Sequence, residues 1–192
     1  MISLQRKPET LDFLKRYVAH PRSKEIDSAL LRCLKTAGHN PHGMALIGET
    51  GVGKTTLLER FRRTHRLEET DTHSYQLVVI VETPADATIK ATLTALLREL
   101  GCPRPDRGTK ESMMTRALTL LGELKTQLIV FDEFQHLLQT QTPKHRQTVI
   151  DFVKSLMNKT KIPVVLAGLP EASLVIEADP QLRRRFAAVQ QI

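Results

Sequence analysis

The chain contains no tryptophan, and its six phenylalanines and two tyrosines make up only 4% of the 192 residues. So low an aromatic content argues against a platform for single-stranded nucleic acid, because such platforms stack the bases on aromatic rings. Cysteine is also scarce. Cys33 and Cys102 are too few and too far apart for a metal knuckle or a disulfide framework, so we expect two ordinary thiols in a reducing compartment.

Long apolar runs are missing as well. The first eight residues, MISLQRKP, lack the apolar core of a signal peptide, and no stretch approaches the roughly 20 apolar residues of a membrane span. We therefore expect a cytoplasmic protein with no membrane partner. The composition, 41% hydrophobic and 26% charged, is that of a soluble globular protein, and the length suits one domain with a proper core.

The formal net charge of +7 makes a polyanionic partner plausible. The basic residues are nevertheless spread along the chain, with short clusters only at 60–66 and 183–185. Charge alone thus leaves two interpretations open, a nucleic-acid-binding surface and a merely basic, soluble one.

One stretch organises the chain. Residues 48–55, GETGVGKT, match the phosphate-loop pattern G-x-x-x-x-G-K-[ST], with an apolar run before them and helical spacing after them. Glycines let successive N–H groups converge on phosphate oxygens at the start of a helix. Lys54 is expected to reach the β- and γ-phosphates, and the Thr55 hydroxyl to hold Mg²⁺. The predicted nucleotide-binding residues are Gly48, Glu49, Thr50, Gly51, Val52, Gly53, Lys54, Thr55 and Thr56.

A second landmark is the run 127–133, QLIVFDE, in which a buried strand ends in two carboxylates. Ligands of parallel sheets sit outside the carboxyl ends of the strands, where such acids are needed. Asp132 is expected to bind Mg²⁺, largely through water, and Glu133 to act as the base that activates the attacking water. The pattern is weak alone and becomes strong together with the phosphate loop.

The rest of the chain alternates helices and strands, which predicts a three-layer α/β domain with a five-stranded parallel sheet and helices on both faces. The expected strands are 44–47, 75–82, 127–133, 162–168 and one within 187–192, and the expected helices are 10–18, 23–37, 54–65, 87–100, 110–124, 143–159, 170–178 and 180–186.

These motifs, with the segment DPQLRRRF at 179–186 and HPR at 20–22, resemble the AAA+ ATPases and, more narrowly, the transposition regulators called TniB and TnsC. The resemblance spans nearly the whole chain. It implies an ATP-dependent regulator that assembles as a ring or filament on double-stranded DNA and recruits a transposase and a TniQ-like target-selection protein. Hydrolysis then resets the assembly.

The resemblance also assigns residues. It places Val18, His20 and Pro21 near the adenine, and makes Arg184 or Arg185 the arginine that reaches the γ-phosphate of a neighbouring subunit. A solvated helix end remains the alternative for these arginines. By the same match, Lys90, Thr109 and Lys110 are expected to contact the DNA backbone.

Two departures from the AAA+ pattern stand out. Many AAA+ proteins have a polar sensor residue after the fourth strand, where this chain has Leu169. A helical lid domain would normally follow Ile192, so we expect either a truncated or a minimal form: a helical segment at 1–42 that contributes to the adenine pocket, and an AAA+ core at 43–192 without the lid.

Two rival functions are also compatible with the motifs. The first is a non-hydrolysing nucleotide-binding adaptor, such as a helicase loader. The second, a small-molecule kinase, is disfavoured because a carboxylate after Asp132 suits water activation and no acceptor site is evident.

Overall fold

The computed structural model describes residues 22–65, 75–85, 87–138, 142–186 and 188–192. Within these ranges the strands are β1 Met44–Ile47, β2 Val78–Glu82, β3 Leu128–Asp132, β4 Val164–Gly168 and β5 Ala188–Gln191. The α-helices are α1 Ser23–Leu34, α2 Lys54–Thr64, α3 Ile89–Glu99, α4 Lys110–Glu123, α5 Pro143–Thr160, α6 Ser173–Ala178 and α7 Pro180–Arg185, and two 3₁₀ helices cover Phe134–Leu138 and Pro170–Ala172.

The strands form one parallel sheet in the order β2-β3-β4-β1-β5, which confirms the predicted five-stranded parallel sheet. Every residue of β1, β3 and β4 is buried, as expected for strands covered on both faces. Because all strands run the same way, their carboxyl ends meet at one edge of the sheet. The phosphate loop follows β1 and the acidic pair follows β3, so both motifs reach that edge.

Helices cover the two faces of the sheet. Alternate strand residues such as Val79 and Ile129 pack into an apolar cluster with α3, α4 and α5, while their neighbours Val78 and Leu128 pack into a second cluster with α1 and α2. This alternation follows from the two-residue period of a strand. The predicted three-layer arrangement is therefore confirmed.

Some predicted boundaries were wrong. β2 begins at Val78 and not at residue 75, because the carbonyl of Leu77 accepts two hydrogen bonds, from the N–H groups of Gln127 (2.8 Å) and Leu128 (3.0 Å), where the chain enters the sheet. The predicted helix 170–178 is divided into a 3₁₀ turn and α6. The predicted helix 10–18 lies outside the described residues.

No helix in the described part of the chain is both long and apolar enough to cross a membrane.

Candidate nucleotide-binding site

The phosphate loop joins the end of β1 to the first turn of α2. Gly51 (φ 83°) and Gly53 (φ 97°) have left-handed backbone conformations, which glycine adopts readily. A Cβ at either position would meet no atom within 4 Å, so the backbone conformation, and not lack of space, favours glycine there. Gly53 is the residue immediately before α2, which puts the turn of the loop at the positive end of that helix.

Gly48 is required for a different reason. Its N–H donates to the carbonyl of Gly168 at the end of β4 (3.1 Å), and a Cβ would lie 2.8 Å from the carbonyl oxygen of Ile192. The first residue of the loop is thus held between two neighbouring segments of chain.

Lys54 is buried, with 5% of its surface exposed. Its Nζ donates to the carbonyl oxygens of Gly48 (2.7 Å) and Glu49 (2.9 Å). An ammonium group carries three N–H donors, so two of them fix the lysine inside the loop and one is left for a phosphate oxygen.

Thr55 and Asp132, 77 positions apart in sequence, meet directly. The Thr55 hydroxyl donates to Asp132 Oδ2 (2.6 Å), and Asp132 Oδ1 accepts a hydrogen bond from the N–H of Glu133 (3.0 Å). Asp132 is only 2% exposed. Hydroxyl and carboxylate oxygens are ligands that Mg²⁺ prefers, so these two residues fit the predicted role of holding that ion.

Glu133 has a left-handed backbone conformation (φ 51°), which is uncommon for a residue other than glycine. Strained backbone of this kind clusters at functional sites. The Glu133 carboxylate accepts a hydrogen bond through Oε2 from the side-chain amide of Gln135. Gln135 was missed in the sequence, because no motif or periodicity distinguishes a glutamine two positions after the acid.

A cavity of about 250 Å³ opens beside Thr55, Asp132 and Glu133. Its wall includes Glu82, the last residue of β2, which lies opposite Asp132 in the sheet register. Glu82 was not predicted as a site residue, although it ends a strand in a carboxylate just as Asp132 does. Three further charged residues line the cavity: Glu59, Arg62 and Glu99.

Arg62 offsets part of this negative charge. Its guanidinium donates to Glu59 Oε2 (2.7 Å) and lies 3.8 Å from Glu99 Oε2. Among the described residues, no group of three or more His, Cys, Asp or Glu side chains is arranged to hold a metal ion by itself.

The arginines 184 and 185 stand apart from this site. The carbonyl of Arg185 accepts a hydrogen bond from the N–H of Gly43 (2.8 Å), just before β1, so this end of α7 lies at the amino edge of the sheet. The Arg185 guanidinium donates to Asn158 Oδ1 (2.6 Å), and Arg184 is exposed. The length of β1, roughly 15 Å, separates these backbones from the loop of the same chain.

Asp179 orients α7. Its Oδ1 accepts hydrogen bonds from the N–H groups of Gln181 (2.8 Å) and Leu182 (2.9 Å), and its Oδ2 lies 3.2 Å from Lys154 Nζ. Partial burial raises the pKa of Asp179, but the hydrogen bonds from Leu182, Lys154 and Gln181 and the charge of Lys154 outweigh it. The net pKa therefore lies below its ordinary value.

The predicted DNA contacts lie at helix starts. Lys90 is exposed in the first turn of α3, and Lys110 is the exposed first residue of α4. Thr109 caps α4, with its hydroxyl accepting from the N–H of Ser112 (3.3 Å). The structure does not join these residues to the nucleotide site.

Three predicted site residues, Val18, His20 and Pro21, lie outside the described part of the chain. His136, which the sequence analysis did not assign to the site, is half-buried, and its Nδ1 lies 3.0 Å from the carbonyl oxygen of Thr83.

The strand order and the phosphate loop after β1 define an α/β P-loop NTPase fold of the AAA+ type. Residues 12–191 match the model of the family described as "Bacterial TniB protein". Because this match covers nearly the whole chain, the protein belongs to the TniB family. No curated protein matches the chain.

Several solved structures share the fold. The ORC2 protein of Aeropyrum pernix, solved as ADPNP-ADP complexes, has a TM-score of 0.62 at 16% identity over 92% of this chain and 48% of that one. Cdc6p of Pyrobaculum aerophilum has a TM-score of 0.61 at 20% identity over 97% and 46%. The A. pernix ORC1 protein, solved in complex with DNA, has a TM-score of 0.61 at 19% identity over 91% and 45%. The chain spans about half the length of these proteins.

Proposed function

We propose that this chain is a Mg²⁺-dependent ATPase that assembles on double-stranded DNA and regulates DNA transposition by recruiting a transposase and a TniQ-like target-selection protein. The observation that carries the enzymatic part is the convergence of Lys54, Thr55, Asp132 and Glu133 at one edge of the sheet, with Thr55 and Asp132 in direct contact at 2.6 Å. Membership of the TniB family supports the role in transposition.

The reaction proposed is attack of water on the γ-phosphorus. A bond forms from the water oxygen to the γ-phosphorus while the bond from that phosphorus to the β–γ bridging oxygen breaks, which releases ADP. Glu133 takes the proton of the attacking water, and Lys54 offsets the negative charge on the phosphates. When bound, Mg²⁺ would neutralise the charge developing on the phosphate oxygens.

Arg184 or Arg185 is proposed to complete the site of a neighbouring subunit. Their place at the opposite edge of the sheet from the loop supports action between chains and not within one. An arginine supplied by a neighbour can raise the rate by about 10³ to 10⁵, so an isolated subunit should hydrolyse ATP slowly. Mixing a Lys54→Ala chain with an Arg184→Ala/Arg185→Ala chain should restore activity that neither has alone.

DNA binding is proposed through Lys90, Thr109 and Lys110. The exposure of the two lysines at helix starts and the net charge of +7 support it. One of the proteins that share the fold, the A. pernix ORC1 protein, also supports DNA binding, because its structure was solved in complex with DNA. Contacts of this kind reach phosphates and not bases, so binding should weaken steeply as salt rises.

The first experiment is sedimentation of the chain with Mg²⁺ and a slowly hydrolysed ATP analogue, with and without duplex DNA. Large species that form only when both are present support the proposal, and a chain that remains monomeric contradicts its assembly step. Lys54→Ala should abolish nucleotide binding, and Arg104→Ala, in an exposed loop, serves as a charge-matched control for the Lys90→Ala and Lys110→Ala DNA-binding variants.

One observation favours a second function, a nucleotide-binding adaptor of the helicase-loader kind. Leu169 puts an apolar side chain where many AAA+ proteins have a polar sensor. Glu133→Gln separates the two functions. It should trap an ATP-bound complex on DNA if hydrolysis resets the assembly, and it should change little in an adaptor that does not hydrolyse ATP.

A further inference from the structure

We propose that Gln135 is a positioning residue that holds the carboxylate of Glu133 and ties it to the carboxyl end of β4. This inference rests on the proposed function, in which Glu133 takes a proton from the attacking water. It adds a residue that neither the phosphate-loop motif nor the acidic pair includes.

Both ends of the Gln135 amide are used. Its Nε2 donates to Glu133 Oε2, and its Oε1 accepts a hydrogen bond from the N–H of Leu169 (3.1 Å). A neutral amide can donate to a carboxylate at one end and accept from a backbone N–H at the other, whereas a carboxylate lacks the donor and an ammonium lacks the acceptor. Gln135 is the right residue type for a bridge between these two groups.

The backbone beside this bridge is also fixed. Glu133 leaves β3 in a left-handed conformation (φ 51°), a strained state that persists only where its surroundings enforce it. Its carbonyl accepts from the N–H of His136 (3.0 Å), and the His136 ring lies 3.0 Å from the Thr83 carbonyl. The backbone thus fixes where the Glu133 side chain starts, and Gln135 fixes where it ends.

Gly168, the last residue of β4, makes room for this arrangement. A Cβ at this position would lie 2.2 Å from Gln135 Oε1. The backbone of Gly168 is not in the left-handed conformation that favours glycine, so the close approach of Gln135 is the reason for glycine here. The amide of Gln135 therefore fills the space that a side chain at Gly168 would need. It also brings a polar group to the end of β4, which Leu169 does not supply.

The same strand end contacts the phosphate loop. The Gly168 carbonyl accepts from the N–H of Gly48 (3.1 Å), so a continuous series of contacts runs from the loop through β4 and Gln135 to Glu133. These contacts therefore fix the position of the Glu133 carboxylate relative to the phosphate loop.

The first test is Gln135→Met, which keeps the length of the side chain and removes both hydrogen bonds. We expect kcat for ATP hydrolysis to fall about tenfold, because general bases contribute roughly 10² to 10⁴ and part of that depends on orientation. KM and the affinity for nucleotide should change less than twofold, since the loop is untouched. Gln147→Met is the matched control, because Gln147 also donates to a carboxylate, Asp151 (3.0 Å), on an exposed face of α5.

The second test asks whether Gly168 acts through Gln135. Gly168→Ala should lower kcat about tenfold in the wild-type background, because the new Cβ displaces the amide. In a Gln135→Ala background the amide is gone, and of the atoms close to the new Cβ only the Phe134 backbone nitrogen, at 3.3 Å, remains. The double variant should therefore be little slower than Gln135→Ala alone. A hundredfold loss in the double variant, the product of the single effects, would show independent action and overturn the inference.

The proposed function can fail separately. If the wild-type chain hydrolyses ATP in a manner that depends on Lys54, and Gln135→Met does so at an unchanged rate, the function stands and the inference is wrong. If the wild-type chain does not hydrolyse ATP, the hydrolytic function fails, and the bridge is tested in the nucleotide-free protein by the NMR signals of the Gln135 side-chain amide. Glu133→Ala and Gly168→Ala should both move those signals and leave the Gln147 amide unmoved, and unmoved Gln135 signals refute the bridge.

Discussion

Replacing Thr55 separates the two tasks that its hydroxyl performs. In the nucleotide-free chain the hydroxyl donates to Asp132, a carboxylate that is 2% exposed and has one other hydrogen bond, from the N–H of Glu133. A hydrogen bond to a charged group is worth about 1.5–3 kcal/mol. Because Thr55 itself is exposed, water can partly replace the hydroxyl, and we expect Thr55→Ala to cost about 1.5 kcal/mol, at the lower end of that range.

For a domain of this size, that loss corresponds to a Tm lower by roughly 3–6 °C. Thr55→Ser keeps the hydroxyl and is the matched control, so its Tm should stay close to that of the wild type. Thermal unfolding followed by circular dichroism measures both variants.

Nucleotide adds a second measurement. ATP at a hundred times its Kd stabilises a protein by about 2.7 kcal/mol, or roughly 5–11 °C here. In the wild type and in Thr55→Ser, this rise should be larger with Mg²⁺ than with EDTA, because the hydroxyl would serve as a ligand of the ion. In Thr55→Ala, Mg²⁺ should add less than in the wild type, because one of its ligands is lost. A Thr55→Ala chain with the wild-type Tm and the wild-type response to Mg²⁺ would refute both assignments.

Three further predictions concern stability and reactivity. Asp179→Ala should cost about 1 kcal/mol in urea unfolding through loss of the α7 cap, whereas Asp179→Asn keeps a capping side chain and should cost less. The pKa of Asp179 in the folded chain lies below its ordinary value of 3.8, so the charged carboxylate stabilises the fold above pH 3.8 and loses this effect as the pH falls below 3.8. The difference in stability between the wild type and Asp179→Asn should therefore vanish at low pH. Burial raises the pKa of the Cys33 thiol to about 11, although the charge of Arg32 opposes the shift. Iodoacetamide at pH 8 should therefore modify the half-exposed Cys102 before Cys33, which mass spectrometry of peptides measures. Gly43→Ala should destabilise the chain, because its Cβ would lie 2.5 Å from the Phe186 ring. Gly122 lies within α4, and a Cβ there would meet no atom within 4 Å, so Gly122→Ala should raise the Tm by roughly 1–4 °C. Equal Tm shifts in the two variants would contradict this packing.

The sequence predicted the sheet well because the strands of this fold are buried on both faces. Runs such as 44–47 and 128–131 are continuously apolar, and buried parallel strands require that pattern. Their ends were less predictable. Tyr75 and Leu77 extend the apolar run before β2, yet the Leu77 carbonyl accepts hydrogen bonds from the N–H groups of residues 127 and 128. Side-chain polarity carries no information about that backbone pairing.

Part of the candidate site was likewise predictable from the sequence, and part was not. Lys54, Thr55 and Asp132 belong to motifs whose spacing encodes their contact, and the structure brings them together. Gln135 depends on a left-handed turn at Glu133 and on the missing side chain at Gly168, two local features that are meaningful only once β3 and β4 lie side by side. A glutamine near an acid is too common in sequences to indicate a bridge.

The topology constrains how the proposed residues can act together. A parallel sheet gathers at its carboxyl edge whatever follows its strands, which is why the loop after β1 and the acids after β3 meet although 77 positions separate Thr55 from Asp132. The same rule sends the residues that precede a strand to the opposite edge, where Arg185 bonds to Gly43 just before β1. An arginine placed before β5 therefore lies at the opposite edge of the sheet from the phosphate loop of its own chain. If either arginine assists hydrolysis, this position favours action on a second subunit, as the proposed assembly requires.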